Sequence, residues 1–66
     1  MGVSFTPQVK QILSEADCFF TRQGKGDHEI WYSSITNRSF VVDNCMKSRH
    51  TANEVLKQAG LPKHFC

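Results

Sequence analysis

The chain has 66 residues, 39% of them hydrophobic, including five Phe, one Trp and one Tyr. It can bury one small core as a single domain, and it leaves no room for a cofactor domain or a deep enclosed pocket. A net charge of +2 is too mild to argue for nucleic acid by itself. No apolar run approaches membrane-spanning length, and the N-terminus lacks a secretion signal. Cys18, Cys45 and Cys66 make an odd count without a C-x-x-C pair. That fits a reducing cytoplasm better than a disulfide framework and gives zinc no familiar ligand spacing, so neither metal nor cofactor is expected.

In chain order, residues 1–5 read as a loose lead-in. Thr6 and Pro7 look like the N-cap and first position of a helix. Val9, Ile12, Leu13 and Ala16 follow as one apolar stripe, which predicts a helix over about residues 7–16. Cys18 to Thr21 reads as a first strand, rich in aromatic and β-branched types. Arg22 to Asp27 is a glycine-containing turn, and His28 to Tyr32 a second strand. Period-2 alternation puts His28, Ile30 and Tyr32 on one face of it and Glu29 and Trp31 on the other. Ser33 to Arg38 has turn chemistry, and Ser39 to Val42 is a third strand.

We assign Phe20, Ile30, Phe40 and Val42 to the helix-covered face, which leaves Phe19, Trp31 and Val41 on the open one. Both sets are apolar, so the opposite parity stays open. On that assignment Trp31 and Phe19 form a patch for a partner chain. The alternative is ordinary exposed apolar surface. Asp43 to His50 is a polar loop. Thr51 and Glu54 match a capping box, with Ala52, Val55, Leu56 and Ala59 as the stripe behind it. Gly60 falls where a left-handed C′ residue belongs, and Leu61-Pro62 stop the helix. Residues 63–66 read as a loose end.

Chemistry concentrates at Arg22-Gln23-Gly24-Lys25-Gly26-Asp27-His28. Gly24 and Gly26 allow a sharp reversal or a close backbone approach to a ligand. Arg22 and Lys25 add positive charge, and an imidazole can give or take a proton near neutral pH. Residues 1–21 carry a net charge of −1 and residues 22–66 a net of +3. Lys47 and Arg49 add to the excess just ahead of the second helix, whose N-terminus is a natural phosphate site. The combination suits a polyanion that is held and then cut. Set against it is a plain hairpin with solvated charges and a rim histidine.

This order of helix, three strands and helix, with the stretch Arg22-Gln23-Gly24-Lys25-Gly26-Asp27-His28-Glu29-Ile30-Trp31 and the ending Leu56-Lys57-Gln58-Ala59-Gly60-Leu61, resembles the HicA, or YcfA-like, family of toxin–antitoxin modules. The likeness covers about residues 9–61. It departs from the family's pattern after the third strand, where Asp43-Asn44 stand in place of a proline and often a histidine. The resemblance implies an α+β, double-stranded-RNA-binding-like fold, α-β-β-β-α, with a three-stranded antiparallel sheet and both helices on one face. It also implies a small ribonuclease that cleaves mRNA, with its catalytic histidine at His28, and a HicB-like antitoxin that masks it.

RNA contacts are then expected from Arg22, Gly24, Lys25, Gly26, Lys47 and Arg49. His50 is a second proton carrier or a surface residue. The other reading is a non-catalytic RNA-binding or protein-interaction module of the same fold. RNA preference and oligomeric state have no signal in the sequence.

Overall fold

The computed structural model describes residues 4–65. Its elements are α1 (Thr6–Glu15), β1 (Cys18–Gln23), β2 (His28–Ser33), β3 (Arg38–Asp43) and α2 (Arg49–Gln58). The strands form one antiparallel sheet in the order β1-β2-β3. Both helices lie on one face of it and the other face is open, the α-β-β-β-α arrangement expected from the sequence. Each strand extends beyond its predicted run, and β1 takes in Arg22 and Gln23.

The core lies between the helices and the covered face: Val9 and Leu13 from α1, Cys18, Trp31, Phe40 and Val42 from the sheet, and Ala52, Val55 and Leu56 from α2. Pairing of β2 with β3 sets Ser33 opposite Arg38, Trp31 opposite Phe40 and Ile30 opposite Val41. Directly paired residues share a face. Once Phe40 and Val42 are buried, Trp31 must be buried with them and Ile30 must turn outward. The expected assignment of Ile30 inside and Trp31 outside is therefore reversed: Trp31 is only 6% exposed. Phe19 and Val41 do lie on the open face, half exposed. Phe20 sits opposite Trp31 on the outer strand and is likewise half exposed. A bulge between Phe20 and Arg22 leaves Thr21 without a direct partner, its hydroxyl donating to the Ile30 carbonyl at 2.7 Å.

Both predicted N-caps move. Thr6 is buried within α1. Its Oγ1 donates to the Asp43 carbonyl at 3.2 Å and accepts the Met46 N–H at 3.0 Å, while the Phe5 N–H donates to the Met46 carbonyl. Thr6 thus spends its hydroxyl on fastening the β3–α2 segment to the start of α1. In α2 the cap is Ser48, whose Oγ accepts the His50 N–H at 3.1 Å. The helix begins at Arg49, ahead of the Thr51–Glu54 box, which lies inside it.

Among the described residues, Phe5, His64 and Phe65 of the stretches expected to be loose make specific contacts. Phe5 meets Phe65 edge-on at 5.0 Å. Asn53 holds the tail, its Nδ2 donating to the Phe65 carbonyl at 2.6 Å and its Oδ1 accepting the N–H groups of His64 and Phe65. Of the expected loose ends, residues 1–3 and Cys66 lie outside the described residues.

The C-terminus of α2 follows its sequence signal. The Leu61 N–H donates to the Leu56 carbonyl at 2.8 Å and the Gly60 N–H to the Lys57 carbonyl at 3.0 Å, the paired bonds of a Schellman motif. Gly60 has φ +87, and a Cβ there would lie 2.8 Å from Cγ2 of both Ile35 and Thr36. Beside it the buried Ser33 Oγ donates to the Ala59 carbonyl at 2.7 Å, so the β2–β3 turn and the end of α2 interlock. Gly60→Ala is expected to lower stability by about 1–3 kcal/mol, from the left-handed backbone and the forced contact together. A thermal melt checks it, and an unchanged midpoint would mean that the turn yields freely.

Candidate nucleic-acid interface

The β1–β2 connection is a tight turn built by its glycines in two different ways. The His28 N–H donates to the Lys25 carbonyl at 3.1 Å. Between them Gly26 has φ +63, the left-handed position that a II′-type reversal gives to glycine. Gly24 is required for space instead: a Cβ would come within 3.0 Å of the His28 carbonyl oxygen, because the Gly24 N–H donates to that oxygen at 2.8 Å. That bond consumes the Gly24 N–H, so it is not the free phosphate donor the sequence reading expected. The Gly26 N–H makes no backbone hydrogen bond among the described residues. Gln23 clasps the turn, its Nε2 donating to the Gly26 and His28 carbonyls at 3.1 and 3.0 Å.

This backbone presents His28 as the first residue of β2, exposed and opposite Asp43. Alternation places its side chain on the open face with Ile30 and Tyr32. Arg22 lies opposite Ile30, so it shares that face as a diagonal neighbour of His28. Lys25 is exposed at the turn itself. The Asn44 N–H donates to the Asp27 carbonyl at 3.0 Å, so the segment that carries Lys47 and leads to Arg49 starts alongside the β1–β2 turn. Both are exposed, Arg49 as the first residue of α2.

The structure thus gathers Arg22, Gly24, Lys25, Gly26 and His28 at one end of the sheet, while Lys47 and Arg49 follow on the segment that crosses to the helix-covered side, Arg49 heading α2. It separates Trp31 from Phe19, which lie on opposite faces of the sheet and cannot form one patch. His50 is exposed on α2 and helps line an open cleft of about 490 Å³ with Asn53, Glu54, Lys57, Leu61, Pro62 and Lys63. No residue of the β1–β2 turn lines that cleft. Among the described residues, no group of three His, Cys, Asp or Glu side chains converges to hold a metal ion.

Sequence reasoning missed the carboxylate beneath the site. Glu29 turns to the covered side, where Oε1 accepts the Trp31 indole N–H at 3.0 Å. Its Oε2 accepts Lys10 Nζ at 3.1 Å and Asn44 Nδ2 at 3.1 Å. One carboxylate thereby joins α1, β2 and the start of the basic β3–α2 segment, directly behind His28. The signal was present in the alternation, which puts Glu29 and Trp31 on one face two residues apart. The Trp31 N–H above all, then Lys10 and Asn44, holds the Glu29 pKa below the usual carboxylate range, against the opposing effect of partial burial.

A group whose folded pKa is depressed adds stability above its unfolded value and loses it as pH falls through the folded one. Wild-type stability is therefore expected to decline below about pH 4.3 through Glu29. Glu29→Gln is expected to be less stable at pH 7, where its amide N–H₂ would face two donors, and the gap to wild type is expected to narrow as pH falls below about 4.3. Melts across that range decide it, and a gap that stays constant with pH would remove Glu29 from the acid response.

Fold and site together define a class: a small α+β domain that presents one histidine and several cations at the glycine-turned end of an open sheet. Compared with protein-family models, curated proteins and solved structures, the chain matches none. Among the described residues, no helix is long and apolar enough to cross a membrane.

Proposed function

We propose that this chain is the toxin of a HicA-type toxin–antitoxin pair, a ribonuclease that cleaves mRNA in the cytoplasm and is neutralised by a HicB-like antitoxin. The observation that supports it is the exposed His28 imidazole on the open face, with Arg22 diagonal to it and Lys25 in the turn beside it. RNA carries its own nucleophile, the 2′-oxygen, which attacks the adjacent phosphorus and expels the 5′-oxygen. The catalyst must take the 2′ proton, stabilise charge on the phosphoryl oxygens and protonate the leaving oxygen. His28 serves the proton transfers. Arg22, Lys25, Lys47 and Arg49, with the Gly26 N–H, serve phosphate binding and charge stabilisation. This chemistry needs no metal.

The test is incubation of purified protein with single-stranded RNA in EDTA, with the product ends analysed. Cleavage leaving 2′,3′-cyclic phosphates is expected. RNA that is shifted in a gel yet stays intact would leave a binding module of the same fold, which is the second reading.

A further inference from the structure

We infer that the open face of the sheet is a stacking platform for unpaired bases of single-stranded RNA, with Phe19 and Tyr32 as its rings. The inference rests on the reading of His28 as the place where the ribose–phosphate link sits. Phe19 and Tyr32 are cross-strand partners whose ring centroids lie 5.5 Å apart at 40°. Phe19 is 50% exposed. The Tyr32 hydroxyl donates to Asn37 Oδ1 at 3.3 Å, which steadies the ring. Ile30, half-buried, and Val41, half-exposed, continue the apolar strip toward His28.

Arg22 stands on the same face as the rings. Glu29 is turned to the other side and paired with Lys10. Asp43 shares the open face directly across from His28, its Oδ1 accepting the Cys45 N–H at 2.8 Å. A guanidinium on the same face as two exposed rings suits a ligand with both bases and phosphates better than an uncharged apolar peptide, for which the same rings would otherwise serve.

Geometry selects single strands. From His28 to Tyr32 is four strand residues, about 13 Å, a distance that a few nucleotides span. Paired bases are stacked on their neighbours and have no free face to offer the rings, whereas unpaired bases do.

The test uses the full chain carrying His28→Ala, which prevents cutting. The probes are a labelled oligouridylate of about 12 nucleotides and an RNA duplex of the same length. Fluorescence anisotropy is read at one salt concentration, and melts verify the fold of each variant. The single strand is expected to bind more tightly than the duplex. Phe19→Leu and Tyr32→Leu, which keep apolar bulk and remove the ring, are each expected to weaken it roughly tenfold. Duplex binding as tight as single-strand binding overturns the platform, as does unchanged affinity in both leucine variants, which would mean plain apolar contact of the kind a protein segment makes. If wild type never cuts RNA but the ring-dependent binding appears, the nuclease reading fails and the platform stands. If His28-dependent cutting occurs with unaltered KM in the leucine variants, the reverse holds.

Discussion

His28→Ala is expected to cut the rate of RNA cleavage by roughly 10²–10⁴-fold while leaving the melting temperature unchanged. The two halves of that expectation come from different atoms of one residue. The backbone of His28 is structural: its N–H closes the turn onto Lys25 and its carbonyl accepts from both Gly24 and Gln23. Alanine keeps all of those bonds. The side chain is exposed and makes no hydrogen bond within the described residues, so its loss costs the fold little.

The loss is expected in kcat rather than in KM, because a proton-transferring group acts in the transition state. Lys25→Ala, by contrast, should weaken binding and flatten its salt dependence, as removal of one phosphate contact does. Equal cutting by wild type and His28→Ala would place the activity elsewhere or in a contaminant. In cells, induced wild-type chain is expected to arrest growth and the alanine variant to relieve it.

Local signals that need only their own segment were legible in the sequence. The two apolar stripes gave both helices, Gly60 and Leu61 gave the end of α2, and alternation gave the relative faces of His28 and Trp31. What could not be read was set by residues distant in sequence. Which side of β2 is buried depends on its register with Phe40 and Val42, and that follows from the turn at 34–37, which sets Ser33 opposite Arg38. Thr6 has a cap residue's chemistry, but its hydroxyl is claimed by Asp43 and Met46, about forty positions away. Met46 itself, in a segment that reads as polar loop, is 1% exposed. Its one apolar side chain was the signal.

The site shows the same division. The glycine turn ahead of His28 is contiguous and was legible as a turn, although Arg22 and Gln23 belong to β1 rather than to it. The Lys10–Glu29–Asn44 network spans three elements and had no linear motif. Gly24 was expected to offer its N–H outward, and a hydrogen bond four residues along took it instead.

Leu56→Ala is expected to destabilise the chain more than any change at the candidate site. Leu56 is 0% exposed and belongs to the cluster where α2 meets α1 and the sheet. Removing its side chain costs about 2.7–5.0 kcal/mol from lost transfer energy and residual cavity. A domain of this length has about 3–10 kcal/mol in all, since a small fold buries a modest fraction of its surface. The substitution therefore removes about a quarter or more of the total and can leave the chain largely unfolded at 37 °C.

Trp31 is the only tryptophan and lies beneath the helices with its indole N–H held by Glu29, so its fluorescence reports directly on whether the helices remain docked. Urea titration followed at Trp31 is expected to show the midpoint of Leu56→Ala far below that of wild type. Val41→Ala, on the open face and 45% exposed, should shift it by less than about 1 kcal/mol equivalent. Equal shifts for the two variants would mean that the helices do not cover the face assigned to them. Trp31 would then have to be sought on the surface, and the open platform with its histidine would lose the frame that holds it.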